Sequence, residues 1–323
     1  MPTTILASRY NALRNSVNLV LGESFSGDPS YGYGQSLSTT TKIGDFATNP
    51  ATVDTISAVD YEELYIDLIR ARSHQVGAAV TINEFVIGDY DTNTVDTDKV
   101  EEAYIIGLES LAANIETDRL LVDTNNLELT SVPSASSTRL DTEGTWNGTI
   151  THIFTMSFAD EAAKRHFFNA GGQIRLSASV DYSGSDAKAI DWQNILNSMG
   201  STSFKYSETV NNAGIGSGSN VGYVDLTSTY QLIYSRTSSA VYANNEYRIY
   251  AANQGTSTIL FKVEFTDGPE ISPTQFSTDE PVQGTFNSDV QVATPSSSVN
   301  INGTVYDAVD LPDPTGAVIR SLS

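Results

Sequence analysis

Near residue 145 the spacing of apolar side chains changes from three-and-four to two, which divides the chain into a helical part and a strand-rich part. Before the change, Ile5, Leu6, Tyr10, Leu13, Val17, Val20 and Leu21 recur at helical intervals, predicting a helix over 5–21 with Gly22 as its left-handed stop. A second helix is predicted from Ser57, a capping residue with Asp60 three positions on. It runs through Leu64, Tyr65, Leu68 and Ile69 to Gly77. A third starts near Asp98, places Glu101 and Glu102 in the favourable first turn, and continues through Tyr104, Leu108, Leu111 and Ile115.

After the change, Ile150, His152, Phe154, Met156 and Phe158 alternate with Thr151, Ile153, Thr155 and Ser157, the period of a half-buried strand. Residues 159–170 switch to a helical pattern opened by Asp160 and Glu161 and closed by Gly171-Gly172. Alternation returns over 173–180 through Ile174, Leu176 and Ala178. A short helix over 189–199 follows, and strands are predicted over 203–210, 222–234, 246–252 and 258–266. Their connections are too short for helical crossovers, so they pair antiparallel. Beyond Gly268 lie six of the ten prolines and two short β candidates, one broken by Asn302-Gly303 as in a tight hairpin. The expected fold class is α+β: a mainly helical N-terminal domain (1–130), an aperiodic linker containing Pro133 (131–145), a mixed α/β sandwich with mostly antiparallel strands (146–268) and a short, extended C-terminal β arm (269–323). No period of 20 to 50 residues repeats, which argues against a solenoid.

Charge narrows the partners. The chain carries 17 Lys+Arg against 39 Asp+Glu, a formal charge of −22, with 22 of the acidic side chains in residues 1–144. Neutralising phosphates needs clustered cations, so no nucleic-acid partner is expected. No apolar run approaches the ~18 residues of a membrane span, and no basic start precedes an apolar block, so neither a membrane nor export is expected. With no cysteine there is no disulfide, thiolate metal site or cysteine nucleophile.

Constellations for chemistry are sparse. His74 falls in the last turn of a predicted helix, where an imidazole serves the exposed carbonyls. His152 lies on the inward side of its strand, as a core or interface residue, and His166 reads as part of a polar helix face. The run Gly214-Ile215-Gly216-Ser217-Gly218-Ser219 lacks the strand-before, helix-after setting of a phosphate loop and reads as a hairpin tip. Asp89, Asp91 and Asn93 reproduce the first three ligands of a calcium loop. Thr94 then stands where glycine is needed and Val100 where a bidentate Glu belongs, so residues 89–102 read as a solvated acidic loop. Tyr182, Tyr223, Tyr230, Tyr234, Tyr242, Tyr247 and Tyr250 suit a protein interface better than a sugar-binding face. No residue is assigned a catalytic, cofactor-binding or metal-binding role, and no cofactor is expected.

Two stretches carry a resemblance. SAVDYEELYIDLIRARSHQVG (57–77) and THIFTMSFADEAAKRHFFNAGGQIRLSAS (151–179), together roughly a sixth of the chain, resemble elements of tail- and neck-associated virion structural proteins of tailed bacteriophages, notably those of marine and cyanobacterial hosts. The signature is Phe-Phe-Asn-x-Gly-Gly, here Phe167 to Gly172, while Tyr61 stands where the related proteins often carry tryptophan. The resemblance implies a non-enzymatic virion component made in the host cytoplasm, docked by its helical domain. Its implied partners are copies of itself, in a ring or trimer, and other tail or neck proteins. The alternatives are a tail-fibre module that binds a host receptor or surface glycan, and a tail polysaccharide depolymerase with two facing carboxylates.

Overall fold

The computed structural model describes residues 7–23, 27–39, 58–77, 102–130, 134–271, 279–295, 298–301, 304–307 and 309–322. It is α+β and divides into two compact units. The first comprises 1–127, 169–171 and 295–311; the second comprises 128–168, 172–294 and 312–323.

The first unit packs three helices, α1 (Ala7–Leu21), α2 (Ala58–Val76) and α3 (Glu102–Thr117). Their apolar stripes supply Tyr10, Leu13, Val17, Leu64, Leu68, Ile105, Leu108 and Ile115, all buried, which is the main stabilising contribution of such a bundle. Polar ties fix the register: Arg9 forks onto Glu109 at 2.7 and 2.8 Å and reaches Glu102 at 2.7 Å. Gly22 is not left-handed. A Cβ there would lie 2.7 Å from the Asn18 carbonyl oxygen, so close approach to the backbone of the preceding turn is what favours glycine. Asp67, fully buried on α2, accepts from Ser38 N, Thr39 N and Thr39 Oγ1 and pairs with Arg70, pinning the 27–39 segment.

Two later pieces of chain belong to this unit. Gln35 holds residue 310 through both backbone groups, at 2.9 and 2.7 Å. Two short strands, β11 (Ser298–Ile301) and β12 (Thr304–Asp307), pair antiparallel, while the expected turn residues Asn302-Gly303 lie outside the described residues. Asn169 Nδ2 donates to the Tyr31 and Gly32 carbonyls. Gly171 has φ +81°, and a Cβ on it would sit 2.5 Å from the Val122 side chain.

The second unit is a sandwich of two sheets. One runs β1-β10-β4-β5-β6, with β2 also pairing β10: β1 (Leu127–Leu129), β2 (Ala135–Arg139), β4 (Gln173–Asp181), β5 (Ser201–Phe204), β6 (Thr209–Asn211) and β10 (Thr285–Pro295). The other runs β13-β3-β9-β8-β7: β3 (Thr149–Ser157), β7 (Gln231–Thr237), β8 (Glu246–Gln254), β9 (Thr258–Thr266) and β13 (Thr315–Leu322), all antiparallel. The sheets face each other: His152 on β3 meets Ser288 on β10 at 3.0 Å, and Phe261 on β9 packs edge-on to Phe204 on β5. Ser217 bridges to Ser235 on β7 and Ser219 to Thr209 on β6, so the glycine-rich run stitches the sheets together along one side.

Helix α5 (Ala187–Met199), capped by Asp186 accepting from Ala189 N, closes one end. Its Trp192 meets Trp146, Phe265 and Phe286 at 5.8–6.0 Å between ring centroids. Helix α4 (Glu161–Asn169), capped by Asp160 accepting from Ala163 N, turns Phe167 and Phe168 onto Phe158, Phe204 and Tyr223.

Three expectations change. Within the expected linker 131–145, residues 135–139 form β2. Ala135, Ser137 and Arg139 alternate inward, but their side chains are too small or too polar to register as a strand pattern. In the expected C-terminal arm 269–323, β10 lies inside one sheet, paired to β4 along nine positions, and β13 pairs with β3. Over 222–234, Tyr223–Asp225 is a single 3₁₀ turn and the strand begins only at Gln231; the predicted strand over 203–210 is two short ones, joined where Lys205 N bonds Glu208 O.

Candidate functional site

The alternation that buries one side of β3, β8 and β9 leaves the opposite side outward, and the register decides which residues meet there. Tyr250 on β8 lies opposite Lys262 on β9, which in turn lies opposite Ile153 on β3; Arg248 lies opposite Glu264. Lys262 Nζ sits 4.2 Å from the Tyr250 ring centroid and 5.2 Å from that of Tyr230, and bonds Glu264 at 2.7 Å. Arg248 pairs with Glu246, which holds its guanidinium above the ordinary range. Tyr230 is exposed, its hydroxyl pushed up by burial against the opposing effect of Lys262. The result is an outward face whose long side chains are held by one another before any partner arrives, so little rotamer freedom remains to be lost on binding.

The seven tyrosines do not form one surface. Tyr234 and Tyr247 are fully buried, Tyr223 stacks 4.8 Å above Phe168, and the Tyr182 hydroxyl accepts from Asp186 N. Only Tyr230 and Tyr250 of the seven flank Lys262 on the outer face.

The histidines are structural. His152 is fully buried between the sheets, and burial pushes its pKa down to about 4. His74 is not a cationic helix cap: Nε2 donates to the Ala170 carbonyl at 2.8 Å, the ring packs against Tyr33, and burial pushes its pKa down to about 4. His166 is buried beside the Arg165 guanidinium at 3.0 Å, not displayed on a polar face, because nine-residue α4 buries everything from Lys164 to Asn169. Of the acidic stretch 89–102, residues 89–101 lie outside the described residues, and Glu102 opens α3 and pairs with Arg9.

Carboxylates do converge at one place that the sequence did not signal. Asp267, Glu270 and Asp279 meet around Lys188, and its ammonium occupies the centre. A lysine in the first turn of a helix reads as solvated, and its partners lie 79 or more residues further along the chain. Among the described residues no group of three His, Asp or Glu side chains is placed to hold a metal ion, and no helix is long and apolar enough to cross a membrane. In the first unit, Arg14, Asn18, Glu23, Gln35 and Thr39 line an open groove of about 560 Å³.

No family model, curated protein or solved structure matches the chain.

Proposed function

We propose that this chain is a non-enzymatic structural component of a tailed-phage virion, associated with the tail or neck and assembled through repeated protein–protein interfaces. The observation that carries the reading is the outer face of the five-stranded sheet, where Tyr230, Tyr250, Lys262, Glu264, Arg248 and Glu246 are already fixed against each other. Such a surface suits a contact repeated between identical subunits, since aromatic and paired side chains give area and orientation without a large ordering cost. The two histidines in cores and the lysine enclosed by three carboxylates support the same reading, because these reactive groups are engaged in holding the fold. The resemblance of residues 57–77 and 151–179 supplies the virion setting.

Its partners in this reading are further copies of the chain and a neighbour with a basic surface, suited to the net charge of −22. The test is mass spectrometry of purified particles. A fixed number of copies per virion is expected, and particles that are infectious yet lack the protein would overturn the assignment. A receptor- or glycan-binding module would instead lose glycan-array binding on Tyr250→Ala while staying fully assembled.

A further inference from the structure

Lys188 is enclosed as few lysines are. Its side chain is fully buried, as is that of Asp267, whose two carboxylate oxygens lie 2.9 and 3.1 Å from Nζ. With both oxygens that close, the carboxyl carbon is within about 3.5 Å of the nitrogen, the separation of a near-attack arrangement. Glu270 Oε1 at 3.0 Å and Asp279 Oδ1 at 2.8 Å complete the ring of acids, and Nζ also donates to the Glu280 carbonyl at 2.9 Å. Trp192 lies one helical turn beyond Lys188 and Phe265 two residues before Asp267. Both rings are fully buried and in edge contact with each other, so the helix and strand that carry the pair are anchored beside it by aromatic packing.

A nucleophile and an electrophile, both fully buried, thus meet two carboxylates able to carry protons that stand at the rim of the site, Glu270 nearly buried and Asp279 partly exposed. We propose that Lys188 and Asp267 become joined by an intramolecular isopeptide bond, formed by the folded sandwich itself, with Glu270 and Asp279 as the proton carriers. The Lys188 ammonium passes one proton through Glu270 to Asp267, giving a free amine beside a neutral carboxylic acid. Nζ attacks the Asp267 carboxyl carbon, and a C–N bond forms. The nitrogen's surplus proton moves to the neighbouring carboxylate and from there to one hydroxyl of the tetrahedral carbon, which leaves as water when its C–O bond breaks. An ammonium and a carboxylate are consumed, an amide and one water are produced, and Glu270 and Asp279 end as they began. No oxidant, cofactor or nucleotide is required.

Burial pushes the Asp267 carboxyl up to about 6, which makes its neutral form accessible near neutral pH. Burial also works against the Lys188 ammonium, but hydrogen bonds to Asp279, Asp267 and Glu270 outweigh it and hold that group above its ordinary range. The amine is therefore freed only as its proton passes to a neighbouring carboxylate, the transfer for which Glu270 and Asp279 stand within 3.0 Å. The bond would tie α5 to the end of β9 across 79 residues, a covalent staple in a chain that has no cysteine to make a disulfide. The inference is independent of the function proposed above.

The test is the intact mass of the full-length protein under denaturing conditions, followed by peptide mapping. The expected mass is one water below that of the sequence, with a single linked peptide pair containing Lys188 and Asp267. Lys188→Arg and Asp267→Ala should restore the full mass. Asp267→Asn should reach the same linked product by losing ammonia, and Glu270→Gln combined with Asp279→Asn should leave the chain largely unlinked. A wild-type protein that is folded, has been held at neutral pH, and shows the full sequence mass with separate peptides would overturn the proposal without recourse to any variant.

Discussion

Replacing His152 with phenylalanine should flatten the acid limb of the sandwich's stability curve. In the folded state the imidazole is held neutral, with a pKa of about 4 against an ordinary 6.5, because burial between β3 and β10 disfavours its charge. The unfolded chain therefore binds a proton that the folded one refuses. The stabilising effect is complete above about pH 6.5 and is lost as pH falls toward 4. Between about pH 8 and about pH 5 the loss from this one residue is on the order of 2 kcal/mol. Asp267 in the same unit, in chains where it is not yet joined to Lys188, acts with the opposite sign, since its free carboxyl is raised to about 6 and protonates more readily when folded. The wild-type curve alone therefore mixes the two, and the difference between wild type and His152→Phe isolates the histidine. The variant leaves the buried Ser288 hydroxyl without its partner, a cost of about 1–3 kcal/mol that does not change with pH. Urea unfolding followed by tryptophan fluorescence reads this unit selectively, because both tryptophans of the chain, Trp146 and Trp192, are buried in it. Wild type should lose about 2 kcal/mol more than the variant over that pH interval. Parallel curves would refute the claim that His152 is a neutral core residue.

Three further outcomes follow from the packing. Phe265→Ala removes the ring that touches His152, Trp192, Tyr247 and Phe286, and should lower stability by about 3–5 kcal/mol in the same urea assay. Gly171→Ala combines a positive φ with a Cβ 2.5 Å from Val122, and should lower the melting temperature well beyond Gly255→Ala, which shares the positive φ but opens onto free space and should cost about 1–2 kcal/mol. Lys262→Ala removes an outward cation and its pair with Glu264, and should change monomer stability by no more than about 1 kcal/mol. Its effect should appear in assembly, measured by sedimentation.

How much of this was legible in the sequence depends on whether a pattern was carried by large apolar groups. β3 and β9 were readable because every inward position but His152 is a bulky apolar residue, and α2 because its stripe is unbroken. β10 was not readable as a sheet member: its inward series runs Phe286, Ser288, Val290, Val292, and the serine that breaks it is the partner of His152. β2 failed for the same reason, with Ser137 and Arg139 inward. Lys262 stands opposite the apolar series Ile259, Phe261, Val263 and Phe265 of its strand and Tyr250 falls within the predicted strand 246–252, but their meeting depends on register, which no single-strand pattern contains. Tyr230 precedes β7 and joins them only through the fold. The Lys188 cluster was invisible because lysine and acids dispersed along a chain signal solvent exposure, and only the assembled sandwich shows that they are enclosed.

In the proposed assembly, the outer face of the β13-β3-β9-β8-β7 sheet is held by neighbouring subunits. Cross-linking mass spectrometry of intact virions, set against the free chain, measures it directly through Lys262, the lysine at the middle of that face. Assembly should protect Lys262 from labelling and place its links to residues of other subunits. Equal labelling of Lys262 in particle and free chain, with intermolecular links confined to other surfaces, would contradict the claim.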